Sequence, residues 1–329
     1  MDASQLARIW NSPSTIASGI VVANVRSQMK QFAIGVAIFK KALAAWSEDK
    51  VPRLGAALAY YTLFSLAPLL IIVVAVASLV FGEQAAQGQI ADEIRGLVGD
   101  KGAEAIQAIL QNAGARKSSG IVATAIGIAT LFFGASGVFG ELQDALNTIW
   151  GVKPKPGRGI LAIVRSRFFS FAMVLGIVFL LLVSLVVSAA LAALGKFGSG
   201  RLPTPLFHLV DLAVSIAVVS VLFATLFKVL PDVRIAWRDV WIGAFATSVL
   251  FTFGKTLIGL YLGRSSVGSA FGAAGSLVVV LVWIYYSAQI LFFGAELTKA
   301  YAYHYGPAVV PTADAVAVAD EVRREERAA

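Results

Sequence analysis

Six stretches of the chain are apolar for about twenty residues or more, and polar residues gather between them. They run from about Leu58 to Phe81, Ile121 to Phe139, Phe168 to Leu194, Leu209 to Phe227, Val240 to Leu262 and Ala273 to Leu297. A helix rises 1.5 Å per residue, so roughly 20 apolar residues cross the ~30 Å hydrocarbon core of a bilayer. Only the fifth stretch holds an ionised residue at depth, Lys255. A membrane barrel would show segments of about 10 residues alternating in polarity. Leu175 to Val187 is instead apolar throughout, apart from Gly176 and Ser184. The pattern predicts an all-α protein, a polytopic membrane helical bundle of about six transmembrane helices.

Shorter patterns add two elements. Phe32, Val36, Phe39, Leu43 and Trp46 recur at spacings of four, three, four and three, one stripe of a helix. With Lys40 and Lys41 beside it, this reads as an N-terminal interfacial helix on the inner leaflet or as a helix packed on the bundle's cytoplasmic face. Between the first two spans, Ile90, Ile94, Leu97 and Val98, then Ile106, Ile109 and Leu110, predict an outer helical hairpin broken at Gly99 to Gly102. After the second span, Glu141, Asp144 and Asn147 interleave with apolar residues, so the helix is expected to continue into water until the proline-rich run 151–157 ends it.

The chain accordingly divides into a flexible cytoplasmic N-terminus (1–30), a six-helix transmembrane domain (31–305) and a cytoplasmic tail (306–329). The tail, with Pro307, Pro311 and the mixed charges of 320–327, reads as a flexible end. Met1 to Gln28 is too polar to serve as a secretory signal peptide. Tyr60-Tyr61-Thr62 and Tyr285-Tyr286-Ser287 echo each other, which is too little to establish an inverted repeat.

Charge sets the orientation. The chain has 27 Lys and Arg against 19 Asp and Glu, and only 14% of its residues are charged. Nineteen of the 27 basic residues fall in the N-terminal segment, the second and fourth connections and the C-terminal tail, and seven in the alternate connections. This bias places both termini in the cytoplasm. It also accounts for the net charge of +8 without a nucleic-acid partner, since no aromatic-interleaved basic face is present. Membrane lipids are the expected partners, with a homo-oligomer or envelope proteins left open.

Catalytic chemistry finds little material. There is no cysteine, which removes disulfides and thiolate sites, and the two histidines, His208 and His304, stand at the ends of different spans. No phosphate-binding glycine loop appears. Glu141 and Asp144 sit on the rim of one helix, where they are expected to be solvated or paired with loop arginines. No catalytic residue, metal ligand or cofactor is expected.

The candidate cavity-lining residues are polar groups within the spans. Lys255 shares a helical stripe with Ser248, Thr252 and Gly259, a face expected to look into the bundle. A buried cation there costs several kcal/mol unless paired or hydrated. Lys255 therefore either lines a cavity that attracts an anionic group or snorkels to the outer surface. Tyr286, Gln289, Phe293 and Glu296 form a second stripe, suited to interhelical hydrogen bonds or to substrate contact. Tyr60, Tyr61, Ser65 and Pro68 lie in the first span, where the proline removes a backbone donor and predicts a kink. Gly268, Gly272 and Ser276, four apart, would let helix backbones approach closely.

Several of these stretches together resemble the YihY/BrkB family of bacterial inner-membrane proteins, which also carries the historical label ribonuclease BN. They are Arg53 to Tyr61 with Ser65 and Pro68, Ala145 to Trp150, Leu230 to Arg234 with Trp237-Arg238 and Gly243-Ala244, and Gly272 to Ser276 with Trp283 to Ile290 and Gly294 to Glu296. The resemblance covers about residues 35 to 305. It implies a six-span protein of the bacterial inner membrane, with links to envelope integrity, serum resistance and lipid or solute export. The expected function is transport or export of an amphipathic, lipid-like or small solute, and the alternative is a non-transporting scaffold for envelope integrity. The nuclease label is not expected to hold, because a hydrolase needs positioned acid, base or metal groups facing water.

Overall fold

The computed structural model describes residues 13–82, 137–155, 204–264, 275–306 and 309–319, together with Gly88, Arg95, Ala103, Glu104, Ile106, Gln107, Phe168 and Gly176. Its long elements are helices: α1 (Pro13–Glu48), α2 (Val51–Phe81), α3 (137–150), α4 (Thr204–Val229), α5 (Trp237–Arg264) and α6 (Gly275–Tyr305). Among the described residues, three helices are long and apolar enough to cross a membrane, over Leu212–Val229, Trp237–Ile258 and Leu277–Tyr305. They contain the predicted fourth and fifth spans, and the sixth from Gly275 onward. Helix α2 contains the predicted first span and continues through Pro68, whose side chain lies outside those described. The second and third spans fall outside the described residues except for 137–139, Phe168 and Gly176.

Helices α1 and α2 meet at a tight corner. Lys50 takes the left-handed conformation (φ 53°) between the two helices, and Pro52 occupies the first turn of α2, where a missing N–H costs nothing. Helix α1 packs on α6 through Ile34, Ile38 and Ala42 against Phe293, Leu297, Ala300 and Tyr301. The predicted stripe is mostly a different face: Phe32, Val36, Phe39 and Leu43 are exposed, with Phe39 reaching the Phe293 ring edge-on at 5.4 Å. The helix thus has one face for the bundle and another free for its surroundings. It also begins at Pro13, inside the segment expected as the N-terminal tail.

In a bilayer, lipid tails are as apolar as leucine, so helices associate through close packing and hydrogen bonds. Helices α5 and α6 do this reciprocally. Thr298 of α6 lies on Gly243 of α5, and Thr247 of α5 lies on Gly294 of α6, so closely that a Cβ on either glycine would overlap the threonine. Each threonine donates its hydroxyl to the glycine carbonyl one turn back in its own helix, Thr247 to Gly243 at 2.6 Å and Thr298 to Gly294 at 2.7 Å. The expected stripe of Gly268, Gly272 and Ser276 lies outside the described residues and side chains. Of the predicted outer hairpin, Ile106 is buried with Leu70, Val280 and Ile284.

Four short strands gather at one end of the molecule. The strand β1 (Val152–Pro154) pairs antiparallel with β4 (Ala315–Ala317), and β2 (Val233–Arg234) with β3 (Val310–Pro311). The tail from Gly306, expected to be a flexible end, instead folds back across both loops in residues 309–319. Thr312 N–H donates to the Asp232 carbonyl at 2.9 Å, and Lys155 donates its backbone N–H to Asp314 and its ammonium to Ala313. The prolines mislead because they sit where the pairing leaves room for them: Pro154 and Pro311 are terminal residues of two- and three-residue strands.

Candidate functional site

A groove of about 350 Å³ opens between α1, α5 and α6. Leu43 and Trp46 of α1 form one wall, Leu250, Phe253, Gly254 and Leu257 of α5 the other, and Tyr286, Gln289, Ile290 and Phe293 of α6 the floor. Its lining is almost wholly apolar. Leu250, Phe253 and Leu257 are exposed on a helix apolar enough to span a membrane, so the groove opens toward the surface that lipid would cover.

Gln289 is the polar exception. Its amide nitrogen and oxygen are both buried and have no hydrogen-bond partner among the described residues. Its side chain rests on Gly55 of α2, where a Cβ would overlap the amide nitrogen. Gly55 thus admits the amide into the space between α2 and α6. An unsatisfied buried amide costs about 1–3 kcal/mol, which a bound polar group would recover.

Two turns further along α6, Glu296 is fully buried, and neither carboxylate oxygen has a hydrogen-bond partner among the described residues. Lys299 stands 3.4 Å from it but lies closer, at 2.9 Å, to Asp49 in the corner between α1 and α2. One ammonium therefore serves two carboxylates.

The remaining polar groups form other sites. Ser248 is buried against Ser220 of α4, hydroxyl to hydroxyl at 2.7 Å, and Thr252 donates to the Ser248 carbonyl at 2.8 Å. Lys255 is half-buried and forms no ion pair with a described residue. Ser65 is buried with Gly137 near it, while Tyr60 and Tyr61 are exposed with their rings edge to face at 5.8 Å. Of the ten residues singled out in the sequence, only Tyr286 and Gln289 line the groove. Ser248 faces α4, Thr252 bonds within α5, Tyr60, Tyr61 and Ser65 belong to α2, and Glu296 sits at the α1–α2 corner.

Near the strands, Asn147 of α3 clamps the turn 230–232. Its Nδ2 donates to Asp232 Oδ2 at 3.0 Å, and the Asp232 backbone N–H donates to its Oδ1 at 2.8 Å, with Gln143 donating to Oδ1 of the same carboxylate at 3.3 Å. Lys228 donates to the Ile235 carbonyl and lies 5.7 Å from the centre of the Trp237 ring. On the same helix as Asn147, the Glu141 carboxyl is pushed above the ordinary carboxylate range, by burial first and by the neighbouring charge of Asp144 second. Among the described residues, no three acidic or histidine side chains converge as a metal would require.

Searching the spans for polar groups misses the apolar walls of the groove and the partners Asp49 and Lys299. One signal was available: Leu43 and Trp46 close the α1 stripe, and Phe293 lies between Gln289 and Glu296. The Asn147 clamp also joins two of the sequence stretches noted above, 145–150 and 230–234, which periodicity alone cannot bring together.

The family model described as Virulence factor BrkB matches residues 42–318. A UPF0761 membrane protein of Pseudomonas paraeruginosa is 31% identical over 255 residues, which cover 76% of this chain and 59% of that relative. A second, from Rhodospirillum centenum, is 28% identical over 275 residues, 80% of this chain and 57% of its own. A third, from Vibrio vulnificus, is 27% identical over 276 residues, covering 81% of this chain and 82% of the relative. The chain thus spans less than two thirds of the first two and most of the third. No solved structure matches it.

Proposed function

The chain belongs to the Virulence factor BrkB family of helical membrane proteins, and from that premise we propose that it moves an amphipathic, lipid-like molecule across the bacterial inner membrane, with both termini in the cytoplasm. The observation that carries this reading is the groove between α1, α5 and α6 with Gln289 in its floor. A lipid tail fits the apolar walls, and a polar headgroup supplies the hydrogen bonds that the amide lacks once the Gln289 side chain turns from Gly55 toward the groove. Tyr286, one turn from Gln289 on α6, adds a phenol to the groove lining. A purely apolar ligand would leave the amide unpaired, and a purely polar one would gain nothing from Leu43, Trp46, Leu250 and Leu257.

The test is transbilayer movement of a fluorescent phospholipid in vesicles reconstituted with the purified protein. Movement faster than in protein-free vesicles supports the reading, and equal rates across phospholipids, osmolytes and ions count against it. One observation favours a second reading, a scaffold that organises envelope proteins: the exposed stripe of Phe32, Val36, Phe39 and Leu43 could receive a partner helix.

A further inference from the structure

We propose that Glu296 is a proton-binding site, loaded from the inner face, whose proton drives movement of the groove's substrate. The last clause rests on the transport reading, whereas the site itself rests on geometry.

Glu296 has no solvent exposure, and both its oxygens lack hydrogen-bond partners among the described residues. A buried carboxylate keeps its charge only when paired and hydrogen-bonded. The charged groups that reach it are Lys299, at 3.4 Å, and Asp49, which holds the same ammonium at 2.9 Å. With both carboxylates ionised, the cluster carries one net negative charge in a water-poor place. With one proton on Glu296, it is neutral, and Asp49 and Lys299 form an ordinary ion pair.

Among the described residues, the surrounding elements offer no second cation. Helix α5 meets α6 here through Gly243 and Thr247, both uncharged, and α1 meets it through Ile34, Ile38 and Ala42, while Lys40 and Lys41 are exposed. Helix α2 presents Gly55 to Gln289, and Arg53 of its first turn is exposed. Helix α3 approaches the end of α6 through Trp150, 6.4 Å from the Tyr303 ring. Asp49 and Lys299 are 28% and 21% exposed, which gives the proton a path from water at this end of the molecule to the buried carboxyl. Gln289 stands seven residues, about 10 Å, along the same helix. Binding and release of the proton therefore change the charge within reach of the groove.

The experiment is infrared difference spectroscopy of the purified chain in lipid nanodiscs, titrated from acid to alkaline pH. A nanodisc sustains no gradient, so the result does not depend on whether the protein transports. The expected result is a protonated carboxylic-acid band at neutral pH that disappears on alkalinisation and is absent from Glu296→Gln. Asp49→Asn, at a half-exposed corner, frees Lys299 to pair with Glu296, and the band should vanish at neutral pH in that variant too. A wild-type spectrum without the band, a band retained in Glu296→Gln, or one unmoved by Asp49→Asn would overturn the site. A band removed by sodium at fixed pH would also overturn it in favour of a cation site. If the site holds, lipid movement in vesicles should accelerate with an imposed proton gradient, and Glu296→Gln should remove that acceleration. Movement that ignores the gradient would overturn the driving role alone.

Discussion

Gln289 carries two buried hydrogen-bonding atoms, and among the described residues neither has a partner. If they are kept for a ligand, replacing the amide should help the fold and harm the function. Gln289→Leu is expected to raise unfolding free energy by about 1–3 kcal/mol and to reduce lipid movement to the protein-free rate. Thermal unfolding of the detergent-solubilised variant, beside flux in vesicles, measures both. Asn147 presents the opposite case, a polar side chain whose bonds are all internal. Asn147→Ala should cost about 2–3 kcal/mol, because it strips a carboxylate of charge-assisted partners, and flux should fall only with folding yield. Glu141 gives a dependence on pH. Its carboxyl is raised in the fold above the ordinary 4.5, so folding takes up a proton there. Stability is full below that value and declines as pH rises through the folded pKa. Glu141→Gln should flatten that decline in pH-dependent melting curves. The sequence displays Gln289 and Glu296 as one polar stripe, because both follow the 3.6-residue period. Their lack of partners depends on Gly55, Asp49 and Lys299, which lie far away in the chain or outside the stripe.

Helices α5 and α6 are joined by a contact that each repeats for the other, a glycine under a threonine. Gly294→Leu would drive a side chain into Thr247 with no flexible atom to yield. It should abolish monodisperse protein on size-exclusion chromatography. Thr298→Ala keeps the close approach and loses only one local hydrogen bond, so it should shift unfolding by about 1 kcal/mol or less. Equal damage from both would mean that the glycines are not the contact. The helices themselves are plain in the sequence: the fourth and fifth apolar stretches lie inside α4 and α5, and the sixth lies inside α6 from Gly275 onward. The same is true of the stripe on α1, of which Phe32, Val36, Phe39 and Leu43 are exposed while Trp46 packs against the core. What hydropathy could not display was the glycine–threonine pairing. A glycine followed four residues later by a threonine has no unusual hydropathy, and only the partner helix makes it a contact.

At the scale of the whole molecule, the C-terminal segment ties the loops after α3 and α4 to each other through β1–β4 and β2–β3. This association was illegible beforehand because each strand is two or three residues long, below any periodic signal. Removing residues 307–329 should speed amide hydrogen exchange in residues 151–155 and 231–236 while leaving α5 and α6 protected. Unchanged exchange there would show that the loops hold themselves. The groove was equally hidden, since its walls come from three helices and are built of side chains that hydropathy assigns to lipid. The central claim is that this groove is the path of an amphipathic substrate, and filling it is the most direct test. Because the chain has no cysteine, Leu250→Cys provides one reactive thiol in the groove wall. Flux of the fluorescent phospholipid is measured before and after a bulky disulfide-forming reagent, and again after reduction. The groove account predicts that flux stops on modification and returns on reduction. Full flux through a protein whose Cys at position 250 is quantitatively modified would contradict it.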